Sequence, residues 1–136
     1  MLIPVVYISH SNGNDATATR IHFALAGAGI DTYVDHIHRD STGDTLTRHD
    51  IRNLTHCDCG LFVLSEESVQ SVKCTQEWQA ILIQGKRLYV AIIEQIAPDD
   101  LPELLWDRDI PYVDLTRDID NGLVELIHAI EGQISS

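Results

Sequence analysis

Glu77 is the acid around which this sequence suggests chemistry. It follows an unbroken apolar run, Leu61-Phe-Val-Leu64, closed by Ser65, and then a polar loop leading through Ser71-Val-Lys-Cys-Thr-Gln to Glu77 and Trp78. The run predicts a buried strand, and the segment beyond it predicts a helix whose first turn carries Glu77. In an open parallel sheet, ligands bind at the carboxyl ends of the strands, near the helices that follow them. A carboxylate placed there can act on a bound molecule through charge and hydrogen bonding. The alternative is a solvated first-turn acid favoured by the helix dipole.

Other polar side chains are candidates to assist it. Ser9, His10 and Ser11 end the first predicted strand, where amides and hydroxyls could hold a sugar or phosphate near a helix N-terminus. A polar loop capping that helix explains the same residues. Asp35 closes the second strand and could orient the loop after it. Ser71 suits the N-cap of the helix that carries Glu77. Cys74 falls on the apolar face of that helix, which makes it a packing thiol rather than a nucleophile. Cys57-Asp-Cys59 with His56 abuts a strand start and has no second Cys/His pair at zinc-site spacing, and His36-Ile-His38 reads as a solvated loop, so no metal is expected.

The elements that must position these groups alternate regularly. Val5–Ile8 reads as a strand, and Ala18, Ile21, Leu25 and Ala28 share one helix face after it. Gly27 and Gly29 suit that helix's C-terminal turn. Thr32–Val34 is a second strand, and residues 36–44 form a long polar loop. Leu46, Ile51 and Leu54 mark a helix before the third strand, Gly60–Leu64. Cys74, Trp78, Ile81 and Leu82 line the next helix, which Gly85 and Lys86 end. Leu88–Ile93 and Pro111–Val113 are further strands, separated by an acidic loop over 97–109. A last helix from Asn121 carries Leu123, Leu126, Ile127 and Ile130. Strands alternating with helices imply right-handed crossovers and a parallel α/β sheet with helices on both faces.

Composition narrows the function classes. The chain has 136 residues, 44% of them apolar, which fits one domain with a single substantial core, residues 1–136. A net charge of −12 with nine Lys plus Arg argues against nucleic-acid or anionic-membrane partners. No apolar run approaches the roughly 20 residues that span a bilayer. The N-terminus lacks the basic region and cleavage site of a signal peptide. Three cysteines fit a reducing compartment better than a disulfide framework, so a cytoplasmic location is expected. No phosphate-binding Gly-rich loop, dinucleotide fingerprint or Gly-x-Ser-x-Gly elbow occurs. A response-regulator receiver would need an acidic cluster where this chain has Ser9 and His10.

Several segments resemble the Toll/interleukin-1 receptor (TIR) domain family in order and spacing. Val6-Tyr-Ile-Ser-His10 resembles its opening box. Tyr33-Val-Asp35, the polar loop through Gly43, and Leu64-Ser65 with Ser71-x-x-Cys74-x-x-Glu77 resemble its later boxes. Leu101-Pro102 through Tyr112-Val-Asp114-Leu115 is similar to the region after the fourth strand in bacterial members. The resemblance implies a flavodoxin-like fold with a five-stranded parallel sheet. It also implies cleavage of NAD at the nicotinamide N-glycosidic bond, giving ADP-ribose or a cyclic isomer, often in antiphage or immune signalling. NAD is then substrate, and no cofactor is needed.

On this resemblance Glu77 is the catalytic acid, and the ligand lies between it and Ser9, His10 and Ser11. One carboxylate can suffice. Ordinary glycosidases use two because an alkoxide leaving group must be protonated. Nicotinamide leaves a pyridinium as a neutral base, so the acid need only stabilise the oxocarbenium-like ribose and hold its hydroxyls. One site departs from the family: many active members carry a tryptophan where this chain has Lys73. Loss of that aromatic would weaken base stacking, or Lys73 would contact a phosphate. Trp78 falls at a core position by its spacing. The rival reading is a non-catalytic module that signals by self-association, with contacts from the loop over 36–44 and its neighbouring helices. A nucleoside-type N-glycosidase is a third. The resemblance further implies assembly into oligomers or filaments and a fused or partner sensor domain.

Overall fold

A computed structural model describes residues 4–34, 46–102, 105 and 109–134. Five strands form one parallel sheet: β1 (Val5–Ser9), β2 (Asp31–Val34), β3 (Cys59–Leu64), β4 (Arg87–Ile92) and β5 (Tyr112–Asp114). Their spatial order is β2-β1-β3-β4-β5. This is the flavodoxin-like order, with its topological switch between β1 and β3. The expected five-stranded parallel architecture is therefore present.

Side-chain alternation along the strands separates two cores. Val6 and Ile8 face α1 (Asp15–Gly27) and α5 (Ile119–Ile134), packing with Ile21, Leu25, Leu126 and Ile130. Tyr7 faces the opposite way, toward α2 (Arg48–His56) and α4 (Val72–Ile83), where Leu54, Phe62, Trp78 and Ile81 form the second core. All six residues of β3 are buried, as expected for a strand covered on both faces.

Two expectations about the region before Glu77 are corrected. The segment after Ser65 is not a plain polar loop but a short helix, α3 (Glu66–Gln70). Ser65 and Ser68 cap it reciprocally, with Ser68 N donating to Ser65 Oγ at 3.0 Å and Ser65 N to Ser68 Oγ at 2.8 Å. Ser71 then ends α3 and caps α4, its Oγ accepting from Cys74 N at 3.1 Å. Because α4 starts at Val72, Glu77 stands in its second turn rather than its first.

α4 lies close to β3 because Gly60 has no side chain. A Cβ added there would come within 2.7 Å of Ile81 Cγ1. Gly29 and Gly85 have φ of 83° and 74°, the left-handed conformation that ends α1 and α4. Among the described residues no helix is long and apolar enough to cross a membrane.

Candidate functional site

Glu77 is only 2% exposed. It shares a face of α4 with Cys74, Trp78 and Ile81, all buried, at the i−3, i+1 and i+4 positions of a core stripe. The solvated-acid reading is thereby excluded. An acid on such a stripe must have partners, since an unpaired buried carboxylate is heavily penalised.

Its partners come from β1. Ser9 Oγ donates to Glu77 Oε1 at 2.9 Å, and Tyr7 Oη donates to Glu77 Oε2. Residues two apart on a strand point to the same face, so Tyr7 and Ser9 both reach α4 while Val6 and Ile8 fill the opposite core. Burial pushes the Glu77 carboxyl up to about 7, against the pull of the Tyr7 and Ser9 hydroxyls and the Lys73 ammonium. Asp50 adds to the upward push. Burial, followed by the charge of Glu77, pushes the Tyr7 hydroxyl far above the ordinary tyrosine range, so Tyr7 acts as a hydrogen donor.

A second buried acid stands behind this group. Asp50, in α2, is fully buried. Its Oδ1 accepts from Tyr33 Oη at 3.0 Å and its Oδ2 from Thr47 N at 3.0 Å, while Thr47 Oγ1 caps Asp50 N at 3.1 Å. Lys73 Nζ lies 3.6 Å from Asp50 Oδ2, and its side chain is 12% exposed. Burial alone would raise the Asp50 carboxyl, but the Thr47 amide, the Lys73 ammonium and the Thr47 and Tyr33 hydroxyls hold it below the usual carboxylate range. The Tyr7 and Tyr33 rings, paired across β1 and β2, have centroids 5.1 Å apart and join the two acids.

The other expected site residues are placed as follows. His10 Nε2 is 2.8 Å from Asp15 Oδ1 at the start of α1. Ser11 Oγ donates to Asn14 Oδ1 at 2.5 Å, and Ser65 Oγ reaches the same oxygen at 2.7 Å. That asparagine ties the loop after β1 to the end of β3. Ser71 caps α4, and Asp35 lies outside the described residues, as do the loop over 36–44 and Trp106. Thus Ser9, Lys73 and Glu77 gather around one point, whereas His10 and Ser11 engage the start of α1. Cys74 is buried, with its thiol pushed up by burial to about 11, which suits packing and not nucleophilic attack. Cys57 and Cys59 are buried in different cores.

Tyr7, Tyr33 and Asp50 were not among the expected site residues. The sequence did hold signals for Tyr7 and Asp50. Tyr7-x-Ser9 places two hydroxyls on one strand face, Thr47-x-x-Asp50 has capping-box spacing, and Leu46, Asp50 and Leu54 recur every four residues.

The 2-1-3-4-5 sheet, with a hydroxyl-bound glutamate beside the carboxyl end of β1, defines a flavodoxin-like α/β domain with its polar centre at the topological switch. A TIR domain family profile matches residues 6–127, and the chain belongs to that family. Among solved structures, it is similar to the TIR domain of the Toll-related receptor TRR-2 from Hydra magnipapillata, with a TM-score of 0.70 and 16% identity over 91% of this chain and 94% of that one. It is also similar to the TIR domains of the activated Roq1 resistosome directly recognizing the pathogen effector XopQ, with a TM-score of 0.62 and 16% identity over 98% and 99% of the two chains. A search of the curated proteins gave no match.

Proposed function

We propose that this TIR domain cleaves NAD at the nicotinamide N-glycosidic bond, with Glu77 as the essential carboxylate. The observation that carries this reading is the pair of hydroxyls on Glu77, one per oxygen, from Tyr7 and Ser9. A ribose 2′,3′-diol offers the same two O–H donors, so the sugar can take over this bonding pattern hydroxyl for hydroxyl. The carboxylate then lies under the ring where positive charge develops. The C1′–N bond breaks with its electron pair passing to nitrogen, and nicotinamide leaves neutral. Water adds at C1′ and loses its proton, giving ADP-ribose; internal attack by an adenine nitrogen gives a cyclic isomer instead.

The acidity of Glu77 fits this task. A carboxyl at about 7 is available in its charged form near neutrality, and an arriving pyridinium cation favours that form further. Substrate binding and ionisation of the acid reinforce each other. In this reading Ser9 binds the ribose, and His10, Ser11, Asp35, Ser71 and Lys73 remain candidate binding residues. The protein is proposed to act in the cytoplasm in immune or antiphage signalling, coupled to a sensor domain.

Incubating concentrated protein with NAD and resolving the products, beside Glu77→Ala and Glu77→Gln, tests the reading. Nicotinamide release by the parent and its loss in both variants is the expected result. Equal release from all three, or none under any assembling condition, overturns it.

A second reading, signalling by self-association, draws on exposed apolar side chains: Ile83 is 85% exposed, Phe23 66% and Val72 65%. The Roq1 TIR domains also occur within an assembly, a resistosome. Concentration-dependent mass that falls in Ile83→Asp and Phe23→Asp would support this reading. The two readings are compatible where assembly completes the catalytic site.

A further inference from the structure

We infer that Asp50 and Lys73 form a positioning couple that divides one ammonium between two buried carboxylates and so sets the charge on Glu77. This rests on Glu77 being the reacting acid. Lys73 and Glu77 are four residues apart on α4, hence neighbours on one helix face. The ammonium stands 3.6 Å from Asp50 Oδ2, so the same cation serves an acid on α2 and an acid on its own helix. The groups that face Glu77 are Tyr7 and Ser9 on β1, Lys73 and Cys74 on α4, Asp50 on α2, and Tyr33 on β2 through its contact with Tyr7. Among these described groups, two buried anions accompany one cation.

The arrangement has a definite sense. Asp50 is held by Thr47 in a capping box and by the Tyr33 hydroxyl from β2, so its position is fixed at the start of α2. A fixed anion draws the ammonium toward α2 and leaves Glu77 less compensated. Glu77 therefore keeps a proton in the resting protein more readily than Lys73 alone would allow, and gives it up when a cationic substrate arrives. A Lys73 engaged in this way is a charge regulator of the acid, one turn ahead of it.

Carboxyl 13C NMR titration of the intact chain measures the Glu77 midpoint without any substrate, with Glu77→Gln identifying its signal. In Asp50→Asn an amide replaces the carboxylate at equal volume and can still serve Thr47 and Tyr33. Its Glu77 midpoint is expected to move down by about one pH unit, and that of Lys73→Met up by about one. Lys73→Arg is expected to keep the parent value. An unchanged midpoint in Asp50→Asn, or shifts of the same sign in Asp50→Asn and Lys73→Met, overturns the couple. If Lys73→Met does not fold, Asp50→Asn and Lys73→Arg decide the matter. Loss of NAD cleavage by itself would bear on Glu77 as catalyst and leave this titration result standing.

Discussion

Ser9 Oγ donates to Glu77 Oε1 at 2.9 Å, although 68 residues separate the two in the chain. The contact joins the carboxyl end of β1 to the middle of α4, which lies beyond the adjacent strand β3 in the chain. It makes the candidate site a property of sheet order as much as of any local motif. Four measurable consequences follow from the surroundings of this pair.

The Tyr7 hydroxyl stabilises Glu77 mainly when that acid is charged. Tyr7→Phe is expected to cost about 1.5–3 kcal/mol at pH 8, where the carboxylate is ionised, and about 1 kcal/mol at pH 5. Urea unfolding at the two pH values measures the difference. An equal cost at both would mean that Tyr7 acts through packing alone.

Glu77 also makes the stability of the fold depend on pH in an unusual direction. Its carboxyl rises from 4.5 to about 7 on folding, so between these values the folded protein binds more protons than the unfolded chain. The contribution is present in full below about pH 4.5 and is lost as pH climbs through 7, on the order of 3 kcal/mol. Calorimetry from pH 5 to 8 should show the parent losing stability while Glu77→Gln changes much less. Parallel curves would refute the assignment. If Glu77 acts as proposed, cleavage should rise over the same interval, so activity and stability move in opposite directions.

The close approach of β3 and α4 can be tested at Gly60. Gly60→Ala places a methyl group against Ile81 and is expected to cost about 1–3 kcal/mol through overpacking. Ile81→Ala makes room for that methyl, so the double variant should be more stable than the sum of the two single effects predicts. Strict additivity would show that α4 shifts to accommodate the new atom.

Ser71 separates capping from binding. Ser71→Ala removes the acceptor for Cys74 N and should cost about 1 kcal/mol. If capping is its whole contribution, thermal stability falls while KM for NAD stays at the parent value. A raised KM with unchanged stability would instead place Ser71 against the substrate.

The sheet was legible because its strands are short apolar runs set between turn residues. Val5–Ile8 and Gly60–Leu64 lie within or on the observed β1 and β3. The site was legible only in part. Glu77 stood out by its place after β3, yet its burial was missed because an acid is ordinarily assigned to solvent. Cys74, Glu77, Trp78 and Ile81 nevertheless fall at i, i+3, i+4 and i+7, one continuous core stripe. Asp50 was hidden for the same reason, and Tyr7 because an aromatic residue in an apolar strand reads as packing. Helix α3 escaped because five residues are too few to establish a period, leaving Ser65 and Ser68 as its only signature.

Tyr7-x-Ser9 has one more consequence, for the order in which the protein acquires its acid. The strand holding both hydroxyls is made first, and Glu77 lies 70 residues beyond Tyr7. Until β1 is seated between β2 and β3, and α4 has closed over it, the carboxylate has neither its hydroxyl partners nor its dry surroundings. An unfolded or half-made chain carries an ordinary, fully charged surface glutamate. Only the finished fold turns that residue into a tuned acid, so whatever rests on the acidity of Glu77 waits until the domain is complete.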